Sequence, residues 1–307
     1  SAYDPSIAHQ CTLRLLSQNV LGMIGWLSVS GEQPETPYLN SKGVPVVGGL
    51  GVPTEFSSSL SYPVTSNVIT AGTAMGAHAK DLGIKAPGII LLNANFIAPA
   101  AQALQASLHA HGIHEKFLDE VDPTKADYTD EAIKARSAGV DSLIVLLDPF
   151  SYSRMFQALD RQSFHPKLLG FGLDKKSAEA QYGSAVYGAE SLTPVLEPDQ
   201  HMTQADMAAY YGAVSKYFPN QVSALDVYSE TDWLAARVFV EAVRRLGATP
   251  VTRKSLVDSL NGISNLSTGL SVPLSYSAGA SHDPNRCYQW IHNQSGTWAT
   301  SSGWNCF

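Results

Sequence analysis

Charge is scarce in this sequence. Only 15% of its 307 residues are Asp, Glu, Lys or Arg, and acids outnumber bases, giving a formal net charge of -7 and a pI of about 5.7. No run of Lys or Arg occurs, which excludes the clustered positive surface that nucleic acid requires. No apolar stretch reaches the roughly 20 residues needed to span a bilayer. The opening Ser1-Ala-Tyr-Asp-Pro-Ser6 lacks the basic and apolar regions of a secretory signal, so the expectation is a soluble chain whose targeting segment has been removed. Reaction motifs are missing as well. Gly49-Leu-Gly51 has no third glycine at dinucleotide spacing, and neither G-x-S-x-G nor a P-loop is found. His109, His111 and His114 diverge around the end of a helical stretch, a place that suits His without any metal. These readings lead to a chain that is not an enzyme, with no cofactor and no metal.

Cysteine is nearly absent, with three in the chain. Cys287 and Cys306 bracket an aromatic, Ser/Asn/Gly-rich tail without a charged residue between them, a texture of secreted proteins, and a Gly-containing turn makes it a hairpin pinned at its base. The expectation is a Cys287 to Cys306 disulfide. Cys11, on a helix, is either a small buried hydrophobe or a thiol with a partner outside this chain.

What is present is organised around residues 86–112. Gly88-Ile-Ile-Leu-Leu92 is a short continuous apolar run, which suits a strand buried on both faces, and Pro99 to His109 has Ala and Leu at helical spacing before Gly112. Between them lies the polar and aromatic loop Asn93-Ala-Asn95-Phe96, at the carboxyl end of the strand, where open α/β sheets place their ligands. The same alternation runs along the chain. Pro5 to Gln18 is an amphipathic helix capped by Asp4; strands are expected at Val20 to Leu27, Val44 to Gly48, Val68 to Thr70, Phe117 to Val121, Asp141 to Leu147, Lys167 to Gly172 and Val186 to Ser191. Helices are expected at Pro34–Ser41, Thr73–Leu82, Asp127–Ala138, Tyr152–Gln162 and Asp174–Tyr182, then, after Pro-punctuated residues 192–198, at Met202–Tyr217, Tyr228–Leu246 and Arg253–Leu260. This pattern predicts an α/β protein of mostly parallel, doubly wound sheets, and the length favours two lobes.

The order V-L-G-M-I-G-W-L-S, G-V-P-V-V-G-G-L-G, G-I-I-L-L-N-A-N-F, A-G-V-D-S-L-I-V-L-L-D-P resembles the type I periplasmic binding proteins of branched-chain amino-acid ABC transporters. The resemblance implies two lobes, residues 1–72 with 195–268 and residues 73–194 with 269–307, closing around a small organic ligand. Family members begin with a strand, a helix and a strand ahead of the helix at Pro5–Gln18, and the sequence has no counterpart. The expectation is therefore a first lobe lacking a strand-helix-strand unit, its sheet either missing its central strand or completed by residues outside the chain.

The resemblance also implies the site. In the first lobe Ser28 matches a ligand-holding hydroxyl, and Leu50, Gly51 and Val52 match the next strand-end loop, with Val52 where the family has Thr; Val cannot donate a hydrogen bond, which leaves the main-chain N–H groups. In the second lobe Asn95 and Phe96, then Asp148, Phe150 and Tyr152, stand at strand ends. Gly172 occupies the place of the acid that pairs with a ligand ammonium, with Asp174 nearby, and Tyr228 adds a hydroxyl. Taken singly, Ser28 is an ordinary turn residue and the aromatics are ordinary packing. Together they imply an amino acid-like ligand, or an aromatic or apolar carboxylate, or an uncharged polar solute, stacked on aromatic walls. The implied protein is extracytoplasmic, monomeric, and a partner of membrane ABC permease subunits; the alternative is a ligand-sensing domain of a receptor or regulator with the same fold.

Overall fold

The computed structural model describes residues 4–28, 31–49, 51–174, 181–197, 203–279 and 281–307. The chain divides into two compact units: unit 1 is Ser1–Asn67, Ala205–Tyr210 and Ser229–Cys287, and unit 2 is Val68–Gln204, Tyr211–Tyr228 and Tyr288–Phe307.

Unit 1 opens with α1 (Pro5–Ser17), whose first turn is closed by the Asp4 carboxylate accepting the Ser6 N–H at 2.8 Å. A parallel three-stranded sheet follows, in the order β1 (Met23–Ile24), β2 (Val46–Val47), β3 (Ser61–Tyr62), with α2 (Glu32–Ser41) between the first two. Each strand pairs over two residues only, shorter than the apolar runs Val20 to Leu27 and Val44 to Gly48 suggest. Gly25 and Gly48, both at positive φ, turn the chain out of extended geometry at the ends of β1 and β2. Met23, Leu39, Val44 and Val46 form the core beneath, with Trp26 and Leu16 packed on it. The segment after α9 (Arg253–Asn261) is tied to β3: the Tyr276 hydroxyl donates to Pro63 O at 2.9 Å, and buried His282 stacks on Tyr62 with ring centroids 4.7 Å apart.

Unit 2 holds the large sheet, in the order β10-β9-β8-β7-β6-β4-β5. Strands β4 (Pro87–Leu92), β6 (Ser142–Leu146), β7 (Lys167–Phe171) and β8 (Glu190–Thr193) run parallel, with β5 (Phe117–Val121) at one edge. Every residue of β4 and β6 is buried, as their unbroken apolar runs require, whereas β5 alternates because it has a neighbour on one side only. At ~25 cal/mol per Å², each fully buried Ile or Leu here contributes about 1.5 to 3 kcal/mol.

Two helices of unit 2 pack unusually close. In α3 (Val68–Asp81) a Cβ on Gly72 would lie 2.2 Å from Ala100 O of α4 (Ala98–Ala110), and the Ser107 hydroxyl donates to Thr73 O at 2.8 Å. This corrects the expectation of a strand at Val68 to Thr70. Those β-branched residues form the first turn of α3, because the glycines and alanines that follow let the whole segment lie against α4. Next come α5 (Thr129–Ser137) and α6 (Pro149–Arg161), each where the periodicity placed a helix; α7 (Ala205–Tyr217) and α8 (Val227–Leu246) also agree with it. The expected helix at Asp174–Tyr182 falls mostly outside the described residues.

The tail is the expected hairpin. β9 (Cys287–Gln294) pairs antiparallel with β8 and with β10 (Thr297–Thr300), through Ser295 and Gly296, both at positive φ. β11 (Asn305–Cys306) returns alongside β9, and Cys287 and Cys306 are disulfide-bonded. Trp298 is fully buried, and Trp290 stacks flat on His78 of α3 at 3.9 Å between centroids. Cys11 is a half-buried free thiol.

Candidate functional site

Two sets of residues stand at the carboxyl ends of strands, one in each unit. In unit 1 the first follows β1. Ser28 is half-buried, in the turn that starts α2; its carbonyl accepts the N–H groups of Gly31 and Glu32, and its own N–H donates to Glu32 Oε1 at 2.9 Å. It stands at the rim of an open cavity of about 430 Å³ lined by Cys11, Leu15, Met23, Ile24 and Trp26. The second follows β2. Gly51 and Val52 are buried, and their N–H groups donate to the same oxygen, Glu55 Oε1, at 2.9 and 3.0 Å. The Val52 side chain is part of the core, 1% exposed. Leu50 lies outside the described residues.

In unit 2, Phe96 is buried at the start of α4 and Asn95 beside it is exposed. Asp148 caps α6: its Oδ1 accepts Phe150 N–H at 3.0 Å and Ser151 N–H at 3.3 Å, while the Ser151 hydroxyl donates to its other oxygen. Arg154 donates to Ser151 Oγ at 2.8 Å and stacks over Tyr128, so the cap belongs to a wider network. Phe150 is 69% exposed, the most exposed large apolar side chain among the described residues of the unit.

Four of the residues singled out from sequence converge around the end of β7. Tyr152 is fully buried and its hydroxyl lies 2.8 Å from Phe171 O and 3.1 Å from Val145 O. Gly172 follows at φ +68°, and the Tyr228 hydroxyl occupies the place its side chain would take. Asp174, 2% exposed, is close enough to Tyr228 and Tyr152 to act on both phenols. Burial, then the neighbouring Tyr152, Asp174, Tyr182 and Asp226, pushes the Tyr228 hydroxyl well above its ordinary range; it stays a neutral phenol and a hydrogen-bond donor.

Sequence reasoning passed over Glu32 and Glu55 in unit 1 and Tyr182 and Asp226 in unit 2. A signal existed for the glutamates: an acid three or four residues after a loop N–H is the spacing at which a side chain reaches back to cap a helix start. Nothing local marks Tyr182, which meets Phe156 and Tyr152 edge-on from a distant part of the chain. Among the described residues no group of three or more His, Cys, Asp or Glu is arranged to hold a metal ion.

Comparison with known proteins connects this chain to a family. A family profile described as Periplasmic binding protein matches residues 1–296. Among solved structures, a possible leucine/isoleucine/valine-binding protein from Rhodopirellula baltica SH 1 is similar with a TM-score of 0.86 at 15% identity, covering 98% of this chain and 82% of that one. A branched chain amino acid ABC transporter protein from Thermus thermophilus with bound valine gives 0.83 at 14% identity, covering 96% and 82%. A solute binding protein of an ABC transporter from R. palustris, in complex with benzoate, gives 0.84 at 15% identity, covering 98% and 82%. No curated protein sequence matches the chain. At such identities the structures speak for the fold, an α/β architecture of type I periplasmic binding proteins, and the profile speaks for descent: this chain belongs to the periplasmic binding protein family.

Proposed function

We propose that this protein is an extracytoplasmic solute-binding protein that captures a small organic ligand and delivers it to the membrane permease subunits of an ABC importer. The observation that carries the reading is the family match over residues 1–296, nearly the whole chain. The protein does no chemistry of its own and acts as a monomer. Its ligand belongs to the range spanned by its structural relatives, one holding valine and another benzoate: amino acid-like, or an aromatic or apolar molecule.

In unit 2 the proposed contacts are the Tyr228 hydroxyl and the Asp174 carboxylate for polar groups, with Phe150 and Asn95 at the neighbouring strand ends. Tyr152 and Asp148 set the positions of these groups, since their polar atoms are engaged with main chain and with the start of α6. In unit 1 the proposed contacts are Ser28 and the loop at Gly51 and Val52. A thermal-shift screen against amino acids, amides, keto acids and aromatic acids tests the reading. A ligand at 100 times its Kd adds about 2.7 kcal/mol of stability. A screen in which no compound of these classes raises the melting temperature contradicts it.

A further inference from the structure

The start of α6 is tied down more firmly than a helix start needs. A cap is complete once Asp148 Oδ1 accepts the Phe150 and Ser151 N–H groups at 3.0 and 3.3 Å; exposed Asp4 starts α1 with a carboxylate bonded within its own first turn. At Asp148 a chain of bonds continues behind the cap. The Ser151 hydroxyl spends its one proton on Asp148 Oδ2 and in turn accepts from Arg154 Nη2 at 2.8 Å. The same nitrogen donates to Pro123 O, also at 2.8 Å, and the guanidinium lies over the Tyr128 ring, whose hydroxyl donates to Asp122 O at 2.8 Å. Ser151 and Tyr128 are fully buried. The relay runs from the loop after β5, through Arg154 and Ser151, to the carboxylate that holds the Phe150 N–H.

What this buried relay holds out is an exposed ring. Of the aromatic residues at the ends of β4 and β6, Phe96 is 9% exposed and Tyr152 0%, whereas Phe150 is 69% exposed and open to a solute. Both oxygens of Asp148 are engaged, by the helix start and by a hydroxyl that a cation holds from behind, so the polar groups here have their partners inside the unit. The surface left for a ligand is apolar. A hydrogen-bonded network shielded from water also stiffens the turn that carries it.

We infer that Arg154 is a positioning residue: acting through Ser151 on Asp148, it holds the first turn of α6 against the loop after β5, so that Phe150 meets an apolar or aromatic part of the ligand in one fixed place. The inference rests on the solute-binding reading, in which Phe150 is a contact.

The test compares wild type, Arg154→Met, Arg154→Lys and Ser151→Ala by amide hydrogen exchange and by isothermal titration with sodium benzoate and sodium isovalerate. In Arg154→Met the Phe150 and Ser151 amides should exchange about tenfold faster, while those of β6 keep their wild-type rates. The preference for benzoate over isovalerate should fall about fivefold, since ring stacking needs a placed ring and aliphatic contact does not. Arg154→Lys, which keeps a cation and a donor, should restore most of both. Ser151→Ala breaks the relay and leaves Arg154 on Pro123 O; it should reproduce Arg154→Met, and it decides alone if that variant does not fold. Unchanged exchange at the two amides, faster exchange spread evenly over unit 2, or an unchanged benzoate-to-isovalerate ratio in a folded variant would overturn the inference. If the wild type binds neither probe while the two amides still loosen selectively, Arg154 positions the turn and the reading of Phe150 as a ligand contact is what fails.

Discussion

The Tyr228 hydroxyl stands where residue 172 would carry its side chain: an ideal Cβ on Gly172 would lie 2.4 Å from Tyr228 Oη and 3.1 Å from Cζ. Glycine is required twice over, since its φ of +68° is also one that other residues adopt with strain. Gly172→Ala is expected to cost about 1 to 3 kcal/mol by chemical denaturation. Tyr228→Phe in the same chain should return part of that loss, because it removes the nearer of the two clashing atoms. A double mutant as unstable as the sum of its single mutants would show that the two residues do not meet.

The contact between α3 and α4 gives a second prediction. Gly72→Ala would push a methyl group against the Ala100 carbonyl, which is main chain and cannot move aside without shifting the helix. Overpacking of this kind costs typically 1 to 3 kcal/mol. The melting temperature should fall, and substitution at Gly83, where a Cβ meets nothing within 4 Å, should lower it only through backbone strain at φ +67°.

The Val68 to Thr70 segment shows where the sequence stopped being legible. Its β-branched residues read as a strand on local preference, and the information that they are helical lies thirty residues away, in the α4 backbone that Gly72 and Gly76 allow to approach. By contrast β4, β6 and α6 were readable because burial on both faces, or on one helical stripe, leaves its period in the sequence itself. The site divides the same way. Gly172 and Asp174 could be placed at a strand end from the chain order alone. That Glu55 takes up the Gly51 and Val52 N–H groups required knowing which way a loop carboxylate turns.

The Cys287 to Cys306 bond closes the tail whose Trp298 is fully buried. Reduction, or Cys287→Ser with Cys306→Ser, should lower stability by roughly 3 kcal/mol through the entropy returned to the unfolded chain. Free-thiol labelling of the native protein should find Cys11 alone.

Alkaline pH should unfold the protein, and the sign follows from the tyrosines. Burial raises the phenols of Tyr62, Tyr152, Tyr228, Tyr276 and Tyr288, the last pushed up to about 12. A raised folded-state value means that the stabilisation is complete below the unfolded value of about 10 and is lost as pH climbs through the folded values. Of the 13 tyrosines, these five should ionise only together with the loss of circular dichroism, while all 13 titrate near pH 10 in denaturant. Full phenolate absorbance reached while the fold persists would contradict the burial described here.

The most direct test of the account is isothermal titration of the purified protein with the compound that stabilises it best, followed by mass analysis of the recovered ligand. The account predicts saturable binding of one ligand per chain, the ligand recovered unchanged, and affinity about tenfold weaker in Tyr228→Phe for loss of one buried hydrogen bond. A ligand returned chemically altered, or binding untouched by Tyr228→Phe and by Asp174→Asn alike, would contradict it.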